Sequence, residues 1–181
     1  EGQSDWIVGD IADDATAGIW ELAEPVETLN DGGNMVQPGF DSTPVGTYCF
    51  ITGNGYEEGN GGFDDVDNGK TTLYSPIFNL LAFDDVLVSY WYWYTNNIGD
   101  NGGNDLWQVM ASNDGGNIWN DLQITSSSST QWNKAQYLLA DYIELTENIQ
   151  FKFIAEDLYY DGDAGSGGSL VEAALDDFNL A

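Results

Sequence analysis

Two pairs of closely spaced aspartates are the residues of this chain best suited to chemistry. Asp65 and Asp67 flank a single valine and lead into an Asn-Gly turn, while Asp176 and Asp177 are adjacent near the end of the chain. Hard cations such as Ca2+ take about six to eight oxygen ligands from carboxylates, amides and backbone carbonyls, often in glycine-rich loops. Like charges this close need a cation, a proton or full solvation. Both pairs are therefore candidate Ca2+ ligands, and solvation of the free carboxylates is the plainer alternative.

The charge of the chain excludes several classes of function. It has 31 Asp and Glu against 3 Lys and Arg and no His, for a formal net charge of -28. A polyanion repels phosphate backbones and anionic lipid surfaces, so we expect no nucleic-acid partner. No stretch approaches the roughly 20 apolar residues that span a bilayer, so we expect no membrane insertion. Without histidine, neither a Ser-His-Asp triad nor a His-ligated zinc site can form.

A carboxylate-pair hydrolase is the enzyme class that this composition still permits. Two acids about 5–9 Å apart can cleave a glycosidic bond. In a chain with this many acids, some pair meets that distance by accident, and the Glu-x-Asp-x-x-Glu arrangement of some jelly-roll glycosidases is absent. We therefore predict that the protein is not an enzyme.

Aromatic side chains supply the second kind of candidate site, a platform on which sugar rings stack. Tyr159 and Tyr160 are adjacent in a predicted loop, and Trp107 and Trp132 lie on predicted strands or at their ends. Core packing is the alternative for any aromatic residue on a strand, and it is the interpretation we favour for Trp91 and Trp93.

The elements that must position these residues are predicted to be strands. Residues 86–94 are apolar on both faces at a period of two, which indicates a central strand covered on both sides. Further strands are predicted at 106–112, 118–124, 135–143, 148–156 and 169–180, and a hairpin turn at 113–116. Ser112, Asp114, Gly116 and Trp119 match the structural hairpin known as an Asp box. These strands predict an all-β, two-sheet antiparallel β-sandwich, and we expect Cys49 to be a buried small hydrophobe.

Several segments resemble the MAM-like, or concanavalin-like, jelly-roll domains of secreted bacterial proteins. They include TPVGTYCFITG at 43–53, DVDNGKTTLYSP at 65–76 and VEAALDDF at 171–178, with shorter matches at 18–21, 36–38, 89–91, 112–116 and 153–157. The resemblance implies one jelly-roll domain over residues 1–181, non-catalytic, with a structural calcium near the final strand. It implies Asp176 or Asp177, together with Asp65 and Asp67, as the ligands of that ion.

Together these observations predict a calcium-stabilised interaction or adhesion module that lies outside the cell or at its surface. Its partner is expected to be a glycan or the extracellular matrix, contacted through Tyr159, Tyr160 and Trp107. The alternative is a self-assembling subunit of a filament or surface layer whose partners are copies of itself. In that case residues 5–11 would pair with the sheet edge of a neighbouring copy.

Overall fold

The chain folds almost entirely into β-strands. The computed structural model describes residues 5–55, 61–99, 101–158 and 168–181. A short 3-10 helix at Leu139–Asp141 interrupts the strands. In chain order the strands are β1 Ile7–Val8, β2 Trp20–Ala23, β3 Thr28–Leu29, β4 Met35–Gln37, β5 Cys49–Thr52, β6 Gly69–Tyr74, β7 Leu87–Thr95, β8 Leu106–Ser112, β9 Asn120–Thr125, β10 Ser129–Leu138, β11 Gln150–Asp157 and β12 Glu172–Leu180.

Ten of these strands form two five-stranded antiparallel sheets that pack face to face. The back sheet has the order β1-β6-β11-β8-β9, and the front sheet has the order β10-β7-β12-β5-β2. Strands β3 and β4 form a separate two-stranded hairpin. The predicted all-β, two-sheet antiparallel sandwich of jelly-roll type is confirmed.

Strand β7 lies inside the front sheet between β10 and β12, and most of its side chains are buried on both faces. Tyr90 and Tyr94 point between the sheets and belong to the main core. Trp93 points the other way and is fully buried against Cys49 and Ile51. This confirms the sequence-based expectations for the central position of the strand, for Trp93 and for the buried thiol of Cys49. The expectation of core packing is wrong for Trp91, which lies on the outer face and is partly exposed.

The residues between β2 and β5 cover one end of the outer face of the front sheet. The Thr95 hydroxyl donates a hydrogen bond to the carbonyl of Val36 at 3.1 Å. The indole Nε1 of Trp132 donates to the carbonyl of Phe40 at 2.9 Å. These contacts explain how large side chains on the outer face of a solvent-facing sheet become buried.

The predicted Asp box is the hairpin between β8 and β9. One carboxylate oxygen of Asp114 accepts hydrogen bonds from the backbone N–H groups of Asn117 and Ile118, each at 3.0 Å. The Trp119 indole donates to the carbonyl of Gly116 at 3.0 Å. All of these bonds are local, so the motif closes its own turn, as expected of a structural device.

Two sequence-based boundaries differ from the structure. The strand predicted at 135–143 is β10, which begins earlier at Ser129 and ends at Leu138, where the 3-10 helix begins. The strand predicted at 169–180 is β12, which begins later at Glu172. In both places tertiary pairing outweighs weak local preference. No helix among the described residues is long and apolar enough to cross a membrane.

Candidate functional site

A group of acidic side chains lies at one end of the sandwich, and we call it the Asp65 cluster. It consists of Asp65, Asp67, Asp157 and Glu172. The peptide of Val66 bonds to the carbonyl of Val171 at 2.8 Å and so holds this stretch against the start of β12. Nearby, a carboxylate oxygen of Asp157 accepts the backbone N–H of Asn68 at 3.1 Å.

Asp65 is the most unusual member of this cluster. Its side chain is 1% exposed, and neither carboxylate oxygen accepts a hydrogen bond from any described residue. Burial, together with the carboxylates of Asp67 and Asp157, raises the pKa of Asp65 to about 8. The nearby backbone amides of Asp65 and Val171 oppose this shift, although they are not in good hydrogen-bonding geometry. A buried carboxylate in this state needs a proton or a cation.

Glu172 is a second buried acid beside it. Its side chain is 0% exposed, and one oxygen accepts a hydrogen bond from the Thr28 hydroxyl at 3.4 Å. The other oxygen has no partner among the described residues. Burial raises the pKa of Glu172 well above its usual value, and the charge of Asp65 raises it further.

The Asp65 cluster fits a cation in its chemistry. Asp65 and Glu172 present three buried oxygens without hydrogen-bond donors in the described part of the chain, all from carboxylates. Within that same part, no three acidic, histidine or cysteine side chains converge tightly enough to form a ready ligand set. An ion held here would therefore draw on backbone carbonyl or amide oxygens as well, as Ca2+ commonly does.

The second predicted aspartate pair lies elsewhere, in a group that we call the Asp176 cluster, consisting of Asp41, Asp176 and Asp177. The Ser42 hydroxyl donates to Asp176 at 2.7 Å and also lies 3.3 Å from an oxygen of Asp177. Burial raises the pKa of Asp176, and the carboxylates of Asp41 and Asp177 add to this effect. Hydrogen bonds from the Ser42 hydroxyl and the Asp177 backbone oppose it, and the resulting pKa is about 6.

The two clusters are separate in space. The partner of Val66 is Val171, which precedes Asp176 by five residues along an extended strand. At about 3.3 Å per residue, this places them roughly 15 Å apart. The structure therefore does not bring Asp65, Asp67, Asp176 and Asp177 into the single ligand set that the family resemblance implied.

The outer face of the front sheet carries a row of aromatic residues. Trp91 lies directly between Lys134 on β10 and Asp176 on β12 in the strand register, so all three side chains share this face. Trp132 packs edge-on against Trp93 with ring centroids 6.3 Å apart. Trp91 and Trp132 both remain partly exposed. We call this pair the Trp91–Trp132 row, and it offers ring faces next to polar and charged groups.

The remaining predicted ligand residues are placed differently. Trp107 is 0% exposed and stacks on Tyr92 with centroids 5.6 Å apart, while its indole donates to Gln123 at 3.1 Å. It is thus a core residue with no surface on which a sugar could stack. Tyr159 and Tyr160 lie outside the described residues.

Sequence reasoning did not assign Asp157 and Glu172 to the acidic site. Glu172 is a single acid within a run of apolar residues near the end of the chain. An acid in a predicted buried strand is the signal from which its place in the site could have been inferred. Nothing in the sequence indicated that Asp157 would lie beside Asp65, because their proximity depends on the pairing of β6 with β11.

Solved structures share this fold at low sequence identity. The chain is similar to the carbohydrate-binding module TmCBM61 in complex with beta-1,4-galactotriose, with TM-score 0.51, 14% identity, and 98% and 88% of the two chains covered. It is similar to the K1 cleaved adhesin domain of Lys-gingipain from Porphyromonas gingivalis W83, with TM-score 0.57, 13% identity, and 98% and 90% covered. For the K3 cleaved adhesin domain of the same protein the values are 0.50, 13%, 99% and 92%.

These likenesses show a shared jelly-roll fold. No protein-family model matches the chain, and no curated protein matches it either. The MAM-like resemblance is therefore supported for the fold class and stays a prediction for the family.

Proposed function

We propose that this chain is a non-catalytic glycan-binding module that works outside the cell or at its surface. The observation that carries the proposal is the Trp91–Trp132 row, two partly exposed rings of which Trp91 adjoins Lys134 and Asp176. Sugars are bound by such a combination because aromatic faces cover their apolar C–H surfaces while polar groups orient the hydroxyls. The solved structures with this fold include a module bound to beta-1,4-galactotriose, which makes a β-linked glycan the first ligand to test.

Affinity electrophoresis and calorimetry against a polysaccharide panel that starts with β-1,4-galactan test this proposal. We expect Trp91→Ala and Trp132→Ala to weaken binding about fivefold each, since an aromatic contact contributes on the order of 1 kcal/mol. Trp119→Ala is the matched control, because Trp119 is also partly exposed but lies against Tyr74 of the back sheet.

The same panel contains the contrary outcomes. Failure to bind any polysaccharide would remove the glycan proposal. Binding that survives both variants of the Trp91–Trp132 row but disappears in Tyr159→Ala or Tyr160→Ala would assign the site to these two tyrosines instead.

We further propose that the folded chain holds a structural Ca2+ at the Asp65 cluster. The support is the buried Asp65 carboxylate, whose oxygens have no hydrogen-bond donor among the described residues, beside the equally buried Glu172. Asp65 and Glu172 would be the carboxylate ligands, and the ion would supply positive charge directly between them. Asp176 and Asp177 lie too far from this cluster to share that ion.

Self-assembly stays an alternative without a specific observation in its favour. Residues Ile7–Val8, part of the segment considered for strand exchange, pair with β6 of the same chain. The formal charge of -28 also opposes close contact between copies.

A further inference from the structure

The last residues of β12 form a sheet edge that no described strand covers. Strand β5 pairs with β12 only at Ala174 and Leu175. Beyond that point β12 retains β7 on one side and has no paired strand on the other. A β-bulge between Asp176 and Asn179, with Asp177 in the left-handed region at φ 48°, interrupts this edge, so its regular part is residues 178–180. We propose that this part of the edge binds an extended basic peptide as an added antiparallel strand.

Backbone groups at this edge are oriented for such pairing. Ala181 and Leu87 exchange both backbone hydrogen bonds, at 2.8 and 3.1 Å, so Ala181 faces β7. Successive residues in an antiparallel ladder point their N–H and C=O groups to opposite sides. The groups of Leu180 are therefore directed toward the open edge. A peptide strand placed there would bond to them as strands do in other edge complexes.

An apolar cleft lies directly beside the edge. It has a volume of about 690 Å3 and opens between the two sheets, with Trp6, Phe78 and Phe178 among its lining residues. Trp6 contacts Phe50 and Phe178 with ring centroids 5.1 and 5.4 Å apart. Volumes of about 300–1,000 Å3 are typical of ligand sites, so the cleft can accept the inward-facing side chains of an added strand.

The charge at the rim indicates the chemistry of the partner. Asp5, Asp176 and Asp177 line the cleft, and no lysine lies among the lining residues that the structure describes. A second copy of this chain would bring another net charge of -28 to the same rim, whereas a basic segment would be attracted to it. Charge complementarity therefore favours a cationic partner.

The two faces of the edge predict the sequence pattern of that partner. Phe178 and Leu180 point into the core side, where they pack with its aromatic residues. Asp177 is exposed, and Asp176 shares the outer face with Trp91. Since residues paired across strands share a face, the peptide should alternate apolar residues, directed into the cleft, with Lys or Arg on the outside.

Fluorescence anisotropy with a labelled Lys-Val-Lys-Val-Lys-Val peptide at low salt tests the proposal on the whole chain. We expect saturable binding that Asp177→Asn weakens about two- to fivefold, as for loss of one partly exposed charge pair. Asp121→Asn, which removes an exposed charge from strand β9 of the back sheet, should change the affinity by less than that. N-methylation of the valines should abolish binding, whereas N-methylation of the lysines should not.

Three results would overturn it. A lysine-only peptide of equal charge that binds as tightly would show that the edge and cleft are not used. Equal weakening by Asp177→Asn and Asp121→Asn would show attraction to the overall charge alone. Sedimentation that reveals dimers dissociated by Asp177→Asn would assign the edge to a second copy. None of these results depends on whether the chain binds glycans.

Discussion

The two acidic clusters of this molecule look alike in sequence but differ in how the fold treats them. The Asp65 cluster is buried, and the carboxylate of Asp65 has no hydrogen-bond donor among the described residues. In the Asp176 cluster, the carboxylate of Asp176 is partly exposed and receives hydrogen bonds from the backbone and hydroxyl of Ser42. Neighbouring aspartates therefore do not by themselves create a demand for a cation. Burial without donors creates it.

A pH titration of stability without metal should separate the two clusters most strongly. The pKa of Asp65 is raised from 3.8 to about 8 in the folded chain, so between these values the folded state binds more protons than the unfolded state. Stability contributed by this proton is complete below pH 3.8 and is lost as the pH rises through 8. We expect the free energy of unfolding of calcium-free protein to fall by several kcal/mol over this window.

Asp65→Asn is the control for that titration, because an amide of the same shape cannot ionise. Its free energy of unfolding should depend less steeply on pH between 4 and 8 and exceed that of the parent chain at pH 8. The pKa of Asp176 is about 6, so the stability that its proton contributes is already lost by about pH 6. Asp176→Asn should therefore change the pH dependence of the free energy of unfolding less than Asp65→Asn does. Denaturant unfolding in chelator at several pH values measures the free energy of unfolding of all three chains. If this free energy depended on pH equally in the parent chain and in Asp65→Asn, Asp65 would not be the group that binds the proton.

Calcium should reverse the instability of the Asp65 cluster near neutral pH. An ion that binds only the folded state adds about 2.7 kcal/mol at one hundred times its Kd. For a chain of this size, that raises the Tm by on the order of 5–10 °C. Differential scanning calorimetry with calcium and with excess chelator measures the shift.

Two variants locate the ion. Asp65→Asn should lose most of the calcium-dependent rise in Tm, and Asp176→Asn should keep it. The opposite result would place the ion at the Asp176 cluster, and a Tm that ignores calcium in the parent chain would remove the structural ion altogether.

The contrast also shows which parts of the fold could be predicted from sequence. The two-sided apolar pattern at 86–94 predicted a covered central strand, and the hairpin chemistry at 112–119 predicted a self-contained turn; both are confirmed. Such features depend on residues close together in the chain, so their side-chain pattern carries the information.

Long-range assembly was not accessible in this way. Asp65 lies beside Asp157 and Glu172 because β6, β11 and the start of β12 meet at one end of the sandwich. Asp65 is separated from Asp176 because the bridge partner of its neighbour Val66 is Val171, which precedes Asp176 by five residues. Trp107 and Trp132 were equal candidates in the sequence, yet the first is fully buried and the second partly exposed. Trp107 points into the core between the sheets, whereas Trp132 lies on the outer face of the front sheet.

The smallest expected effect concerns the donor that distinguishes the Asp176 cluster. The Ser42 hydroxyl is the largest influence that lowers the pKa of Asp176 against the effect of burial. Ser42→Ala removes this hydroxyl but leaves the longer backbone contact at 3.3 Å, so we expect the pKa of Asp176 to rise above 6. The loss of one partly exposed hydrogen bond should lower the free energy of unfolding by about 1 kcal/mol at pH 7.

Carboxyl chemical shifts followed by NMR during titration measure the pKa of Asp176, with Ser127→Ala as the control at an exposed loop serine. If the Asp176 titration did not move, its accommodation would come from solvent, and the two clusters would differ by burial alone.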